Sequence, residues 1–178
     1  AASDVYKRQI KNGYARFTGF QEDGAFSVSQ KIIGNNFHTG VLFKINGDLE
    51  NHAAILDIDF LKLSDKEYFR DNYISVTVHE KDKFAVNVSC GDRSLSNARI
   101  VNQKFDKDWH FLSVFYQQNR VHVLLDYKII YIVDHKFDFD SIDINLSANN
   151  MKNKKSVLNK KKNIFVKELL VAHGGLWL

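Results

Sequence analysis

Two aspartates, Asp57 and Asp59, sit two residues apart in the run AAILDIDFLKL (53–63), the spacing in this chain best suited to acid/base chemistry. In an extended strand, side chains two apart share a face. A pair of carboxylates on one face is what a glycoside hydrolase uses, provided they stand about 5–5.5 Å apart in a retaining enzyme with their pKa values driven apart. No glutamate accompanies these aspartates in the strand, so no catalytic residue is assigned and the chain is read as a non-enzyme. Calcium is the second use for such groups. Asp57, Asp59, Asp126, Asp138 and Asp140 offer hard oxygen ligands, yet no stretch has the Asp-x-Asp-x-Asp-Gly arrangement of a dedicated loop. They are read as solvated surface carboxylates, with calcium kept as an alternative and no cofactor assigned. Zinc is disfavoured because the seven histidines are scattered and Cys90 is the sole cysteine.

The strongest charge feature is basic. Lys152, Lys154, Lys155, Lys160, Lys161, Lys162 and Lys167 carry seven positive charges with no acid between them, whereas the whole chain is +4, so the remainder is net −3. A local basic segment can attract sulfated glycans or phosphate backbones. The aromatic residues fall within strand patterns instead of interleaving with these lysines, and no recognition helix is evident, which ranks nucleic acid well below a glycan. Lys152, Lys154, Lys155, Lys160, Lys161 and Lys162 are therefore the glycan-binding candidates. The competing explanation is a solvated insertion inflated by codon bias, in keeping with the absence of proline. Two sequons, Asn87-Val88-Ser89 and Asn145-Leu146-Ser147, are candidate N-glycosylation sites, because period two turns both asparagines away from their apolar neighbours.

These residues need a scaffold, and the 178 residues suit one domain with a core large enough to dispense with staples. No apolar run approaches the roughly 18 residues of a membrane span. Residues 1–9, AASDVYKRQ, resemble translated adapter sequence and are set aside as a non-native leader, leaving 10–178 as the domain. Cys90 is read as a small buried thiol.

The elements read as strands. Trp109 to Val133, WHFLSVFYQQNRVHVLLDYKIIYIV, packs three strand-like runs and two polar interruptions into a meander. Upstream, 27–33, GVLFKI (40–45) and 53–63 are strand patterns, and Tyr73 opens a hairpin with Ile74, Val76, Val78 facing Phe84, Val86, Val88. A short strand is expected within 99–105, another at Ile142, Ile144, Leu146, and a last one over 164–171. Roughly ten strands with almost no helical periodicity predict an all-β, two-sheet antiparallel jelly-roll sandwich.

The string FSVSQKIIGNNFHTGVLFKI (26–45), the following AILDID, Lys107-Asp108-Trp109-His110, and Val121-His122-Val123-Leu124-Leu125-Asp126 together resemble the thrombospondin N-terminal-like domain of the laminin G superfamily. The resemblance spans about 13–175 and is nearest to NEL-like secreted proteins, thrombospondins and fibril-associated collagens. It implies a concanavalin A-like jelly roll within a larger secreted, multidomain protein. It also implies adhesion through glycosaminoglycans or matrix and cell-surface proteins, with no catalysis, and in some relatives calcium at the sandwich rim. Many relatives carry a disulfide cysteine after the hairpin aspartate, where this chain has Tyr127. Trp109 is expected to fill the core and His110, on the opposite face, to be a partly exposed strand residue. The rival function is a carbohydrate-active jelly-roll enzyme or its accessory lectin domain; a third is a scaffold that contacts neighbouring domains.

Overall fold

The computed structural model describes residues 10–11, 14–17, 26–31, 36–46, 54–62, 72–79, 83–89, 97–146, 149–150, 155–156 and 163–173. The leader at 1–9, Cys90, Lys152, Lys154 and Lys160 to Lys162 lie outside them. Among the described residues fifteen strands run in chain order. They are β1 (Ile10–Lys11), β2 (Tyr14–Phe17), β3 (Phe26–Lys31), β4 (Phe37–Asn46), β5 (Ala54–Leu61), β6 (Tyr73–His79), β7 (Lys83–Ser89) and β8 (Asn97–Val101). Then follow β9 (His110–Gln117), β10 (Arg120–Leu125), β11 (Lys128–Asp134), β12 (Ser141–Leu146), β13 (Asn149–Asn150), β14 (Lys155–Ser156) and β15 (Asn163–His173). There is no helix among the described residues.

Two large antiparallel sheets form, and β13 pairs with β14 as a separate two-stranded ribbon. One is seven-stranded, β1-β2-β15-β4-β9-β10-β11, and the other six-stranded, β3-β12-β5-β6-β7-β8. Alternation decides which side chains each sheet turns inward. Leu112, Val114 and Tyr116 of β9, with Val121 and Val123 of β10, are fully buried, as are Ile74, Val76 and Val78 of β6. The sheets meet face to face through pairs such as Phe43 with Phe84, ring centroids 6.3 Å apart, and Phe37 with Phe60 at 5.7 Å. One apolar cluster spans both sheets, and the expected two-sheet jelly-roll sandwich is what the chain forms.

The meander is as the sequence predicts, with two-residue turns at Gln118-Asn119 and Asp126-Tyr127. All four turn residues have positive φ, between 50° and 65°, the backbone that lets a two-residue turn follow the twist of its strands. Tyr127 is an unusual occupant of that conformation and is left 81% exposed. One expectation is corrected. His110 shares the inward face of β9 with Leu112 and packs near Phe43, whereas Trp109 is only half-buried and outside the core. The strand parity is thus opposite to the one assumed, because β9 begins at His110 and its inward set is the even-numbered one. Phe137 and Phe139 drop into the core from the connector between β11 and β12.

Candidate functional site

The outward face of the six-stranded sheet is polar where its inward face is oily. On β5, Leu56, Ile58 and Phe60 enter the core, so Asp57 and Asp59 point away from it. On β12, Ile142 and Ile144 do the same for Asp143 and Asn145. β12 pairs directly with β5 and sets Asp143 opposite Asp59 and Asn145 opposite Asp57. On the other flank of β5, Tyr73 stands opposite Asp59 and Ser75 opposite Asp57. Ser75 in turn faces Asn87 on β7, and β3 places Ser29 opposite Asp143.

Burial overturns the reading of these aspartates as solvated. Asp57 is 4% exposed, Asp59 7% and Asn145 6%. The Asn145 amide donates from Nδ2 to Asp59 Oδ2 at 3.0 Å, which compensates part of the cost of keeping that carboxylate from water. Asp143 is half-buried, and no donor among the described residues reaches its solvent-shielded Oδ1. Directly opposed side chains have Cβ atoms about 4.5–5.5 Å apart, whereas Asp57 and Asp59 are separated along the strand by about 6.6–6.8 Å. Asp57, Asp59 and Asn145 are thus enclosed, and the half-buried Asp143 and Tyr73 are the members of this set with surface left for a ligand.

The sequence-proposed residues fare differently. Asn145 points away from the core, and its amide is enclosed and engaged by Asp59. Asn87 lies half-buried within β7, paired on both sides by β6 and β8. Lys155 falls in the short strand β14, and Lys167 is exposed on β15. The five calcium candidates are scattered. Asp57 and Asp59 lie on the six-stranded sheet, Asp126 at the β10–β11 turn of the other, and Asp138 pairs with Lys62. No group of three His, Cys, Asp or Glu able to hold a metal occurs among the described residues.

A second polar cluster, unforeseen from sequence, lies at the rim. His110 Nδ1 is 2.7 Å from Asp126 Oδ2 and Nε2 is 3.1 Å from Asp106 Oδ1. Asp126 Oδ1 also accepts from the Phe111 backbone N–H at 2.9 Å. Burial pulls the imidazole pKa down, but the hydrogen bond and charge of Asp126, then those of Asp106, outweigh it and hold His110 above its ordinary 6.5.

The fold defines a jelly-roll β-sandwich of the concanavalin A-like kind. No family model matches the chain, and no curated protein matches it in sequence. Solved structures do share its fold. The endo-β-1,3-glucanase of Pyrococcus furiosus superposes with a TM-score of 0.63 at 12% identity over 93% of this chain and 78% of the other. The PL7 alginate lyase AlyA1 of Zobellia galactanivorans gives 0.62 at 9% over 98% and 86%, and the Emp47p carbohydrate recognition domain 0.57 at 14% over 94% and 86%. At such identities the likeness fixes the fold alone.

Proposed function

We propose that this chain is a glycan-binding module that holds its ligand against the outward face of the six-stranded sheet. The observation that carries this reading is the packing of Asp57, Asp59, Asp143 and Asn145 into adjoining cross-strand pairs on the one face of that sheet turned away from the core. The half-buried Asp143 and Tyr73 present a carboxylate and a phenol suited to the polar surface of a sugar, with the enclosed Asp57, Asp59 and Asn145 packed beside them. Neighbours of the same fold that recognise or process carbohydrate lend support at the level of architecture. Asn145 already occupies one oxygen of Asp59, which favours binding over turnover. The finer role, adhesion in an extracellular setting through sulfated chains, rests on the thrombospondin-like resemblance and on the lysine-rich segment.

A glycan array probed with the full chain and with Asp143→Asn and Asn145→Leu tests this. Binding to at least one glycan class, weakened by both substitutions, is expected; equal retention by both variants sinks the assignment of the face. Replacing Lys160 to Lys162 with alanine and measuring heparin-column elution separately tests the basic segment, and unchanged elution refutes its role.

A second reading, a carbohydrate-active enzyme, is favoured by one feature: Asp59 stands directly across from Asp143, which pairs two carboxyl groups as glycosidases do. New reducing ends from a polysaccharide panel, lost in Asp143→Asn, would establish it in place of the binding module.

A further inference from the structure

We propose that His110 is a pH-operated latch: protonated, it ties the connector 102–109 to the β10–β11 turn, and neutral, it lets the connector end at Asp106 go.

The geometry makes the latch. A neutral imidazole has one N–H and one lone pair, so it can donate to one carboxylate only. His110 has a carboxylate oxygen at each nitrogen, 2.7 Å at Nδ1 and 3.1 Å at Nε2, and only the imidazolium donates to both. The two ends are not equivalent. Asp126 is fixed on three sides, since its Oδ1 takes the Phe111 N–H and its own N–H donates to the Phe111 carbonyl, each at 2.9 Å. Asp106 has a side chain 71% exposed and is restrained mainly by the Asp108 N–H at 2.7 Å. Loss of one proton therefore leaves Nδ1–H on Asp126, and the Nε2 lone pair then repels Asp106, which is free to turn to water.

The groups facing the ring are few. From β4 comes Phe43, whose ring is 6.0 Å away, and from the connector Phe105 at 6.2 Å. Asp106 and Asp126 are the charged partners acting on it among the described residues. Asp106 stays ionised throughout, its carboxyl held low first by the Asp108 backbone N–H and then by His110. The direction follows. His110 is raised above 6.5 when the latch is closed, so its stabilisation is complete below 6.5 and disappears as pH climbs through the closed-state pKa. By linkage, the open-to-closed ratio grows about tenfold for each unit by which the closed-state pKa exceeds the open-state one. Phe105, stacked on Phe84 of β7 with centroids 4.6 Å apart, continues to anchor the connector. The connector joins β8, the edge of the sheet carrying the polar face, to β9 of the opposite sheet, so the latch governs how firmly that edge is tied; it stands independently of the glycan reading.

The test uses the full chain. Side-chain NMR should give His110 a pKa above 6.5, and amide exchange, corrected for its intrinsic pH dependence, should show protection of 103–109 falling between pH 5.5 and 8.5 while β9 and β10 hold theirs. Asp106→Asn, at an exposed position, should lower the His110 pKa and leave connector exchange independent of pH with the melting temperature of the wild type at alkaline pH. His110→Gln should give an open connector at both pH values. A His110 pKa at or below 6.5, or connector protection that does not change with pH, overturns the proposal. So does an Asp106→Asn variant whose connector still responds to pH as the wild type does.

Discussion

Tyr116→Phe removes one buried hydroxyl, whose bond to the Phe137 backbone carries most of the expected cost. Tyr116 is fully buried on β9, and its hydroxyl accepts the Phe137 backbone N–H at 2.9 Å while donating to Asn119 Oδ1 at 3.3 Å. The substitution keeps the ring and its packing against Phe37, Phe60 and Phe137. What it removes is the acceptor of an N–H whose residue is 2% exposed, and a buried donor left without a partner costs about 1–3 kcal/mol. For a chain of this length a kilocalorie moves the melting temperature by about 2–4 °C, so the loss should be about 2–12 °C. Thermal melts followed by circular dichroism, with urea unfolding beside them, measure it. A larger effect than this would mean that the connector from β11 to β12, which carries Phe137 and Phe139 inward and delivers Asp143 and Asn145 to the polar face, had come loose as well. A shift under about 1 °C would refute the reasoning, since it would mean that water or another acceptor already serves the Phe137 N–H.

Gly40→Ala should destabilise by about 1–3 kcal/mol, because an added Cβ would sit 2.5 Å from Phe111 Cζ on the outer face of the seven-stranded sheet; combining it with Phe111→Ala should cancel the clash in a double-mutant cycle of unfolding free energies. Peptide mapping after expression in a eukaryotic secretory host should find no glycan at Asn145, whose amide is enclosed beside Asp59; an occupied site there would show that the pair opens before or during folding.

Much of the fold was legible because it is written locally. The hairpin arms Ile74, Val76, Val78 and Phe84, Val86, Val88 and the meander strands all alternate; the arms are buried, as are Leu112, Val114 and Tyr116 of β9 and Val121, Val123 and Leu125 of β10, while Tyr131 and Val133 of β11 are partly buried against the core. Alternation also put Asp57, Asp59 and Asn145 on the outward faces, correctly. It could not say what stands beside them. The Asn145–Asp59 hydrogen bond joins residues 86 apart in sequence, and nothing in either strand announces the other. Hence the aspartates were read as solvated when they are enclosed, and Asp143 was not singled out at all. The His110 error has the same origin at shorter range: a shift of one residue in where a strand begins exchanges the faces of Trp109 and His110.

The strand order explains why the polar face exists in this form. β12 lies between β3 and β5, so the last strand added to the six-stranded sheet is inserted next to the strand bearing Asp57 and Asp59. Had β12 paired at the free edge beyond β8, the same alternation would still bury Ile142 and Ile144, and the hydrophobic core would lose little. Asp143 and Asn145 would then face solvent several strands away, at about 4.8 Å per strand, with Asp59 deprived of its amide donor. Core burial is therefore nearly indifferent to a choice on which the site depends entirely. The side-chain pairs of the outward face, and not the apolar pattern that folds the sandwich, are what this strand order decides.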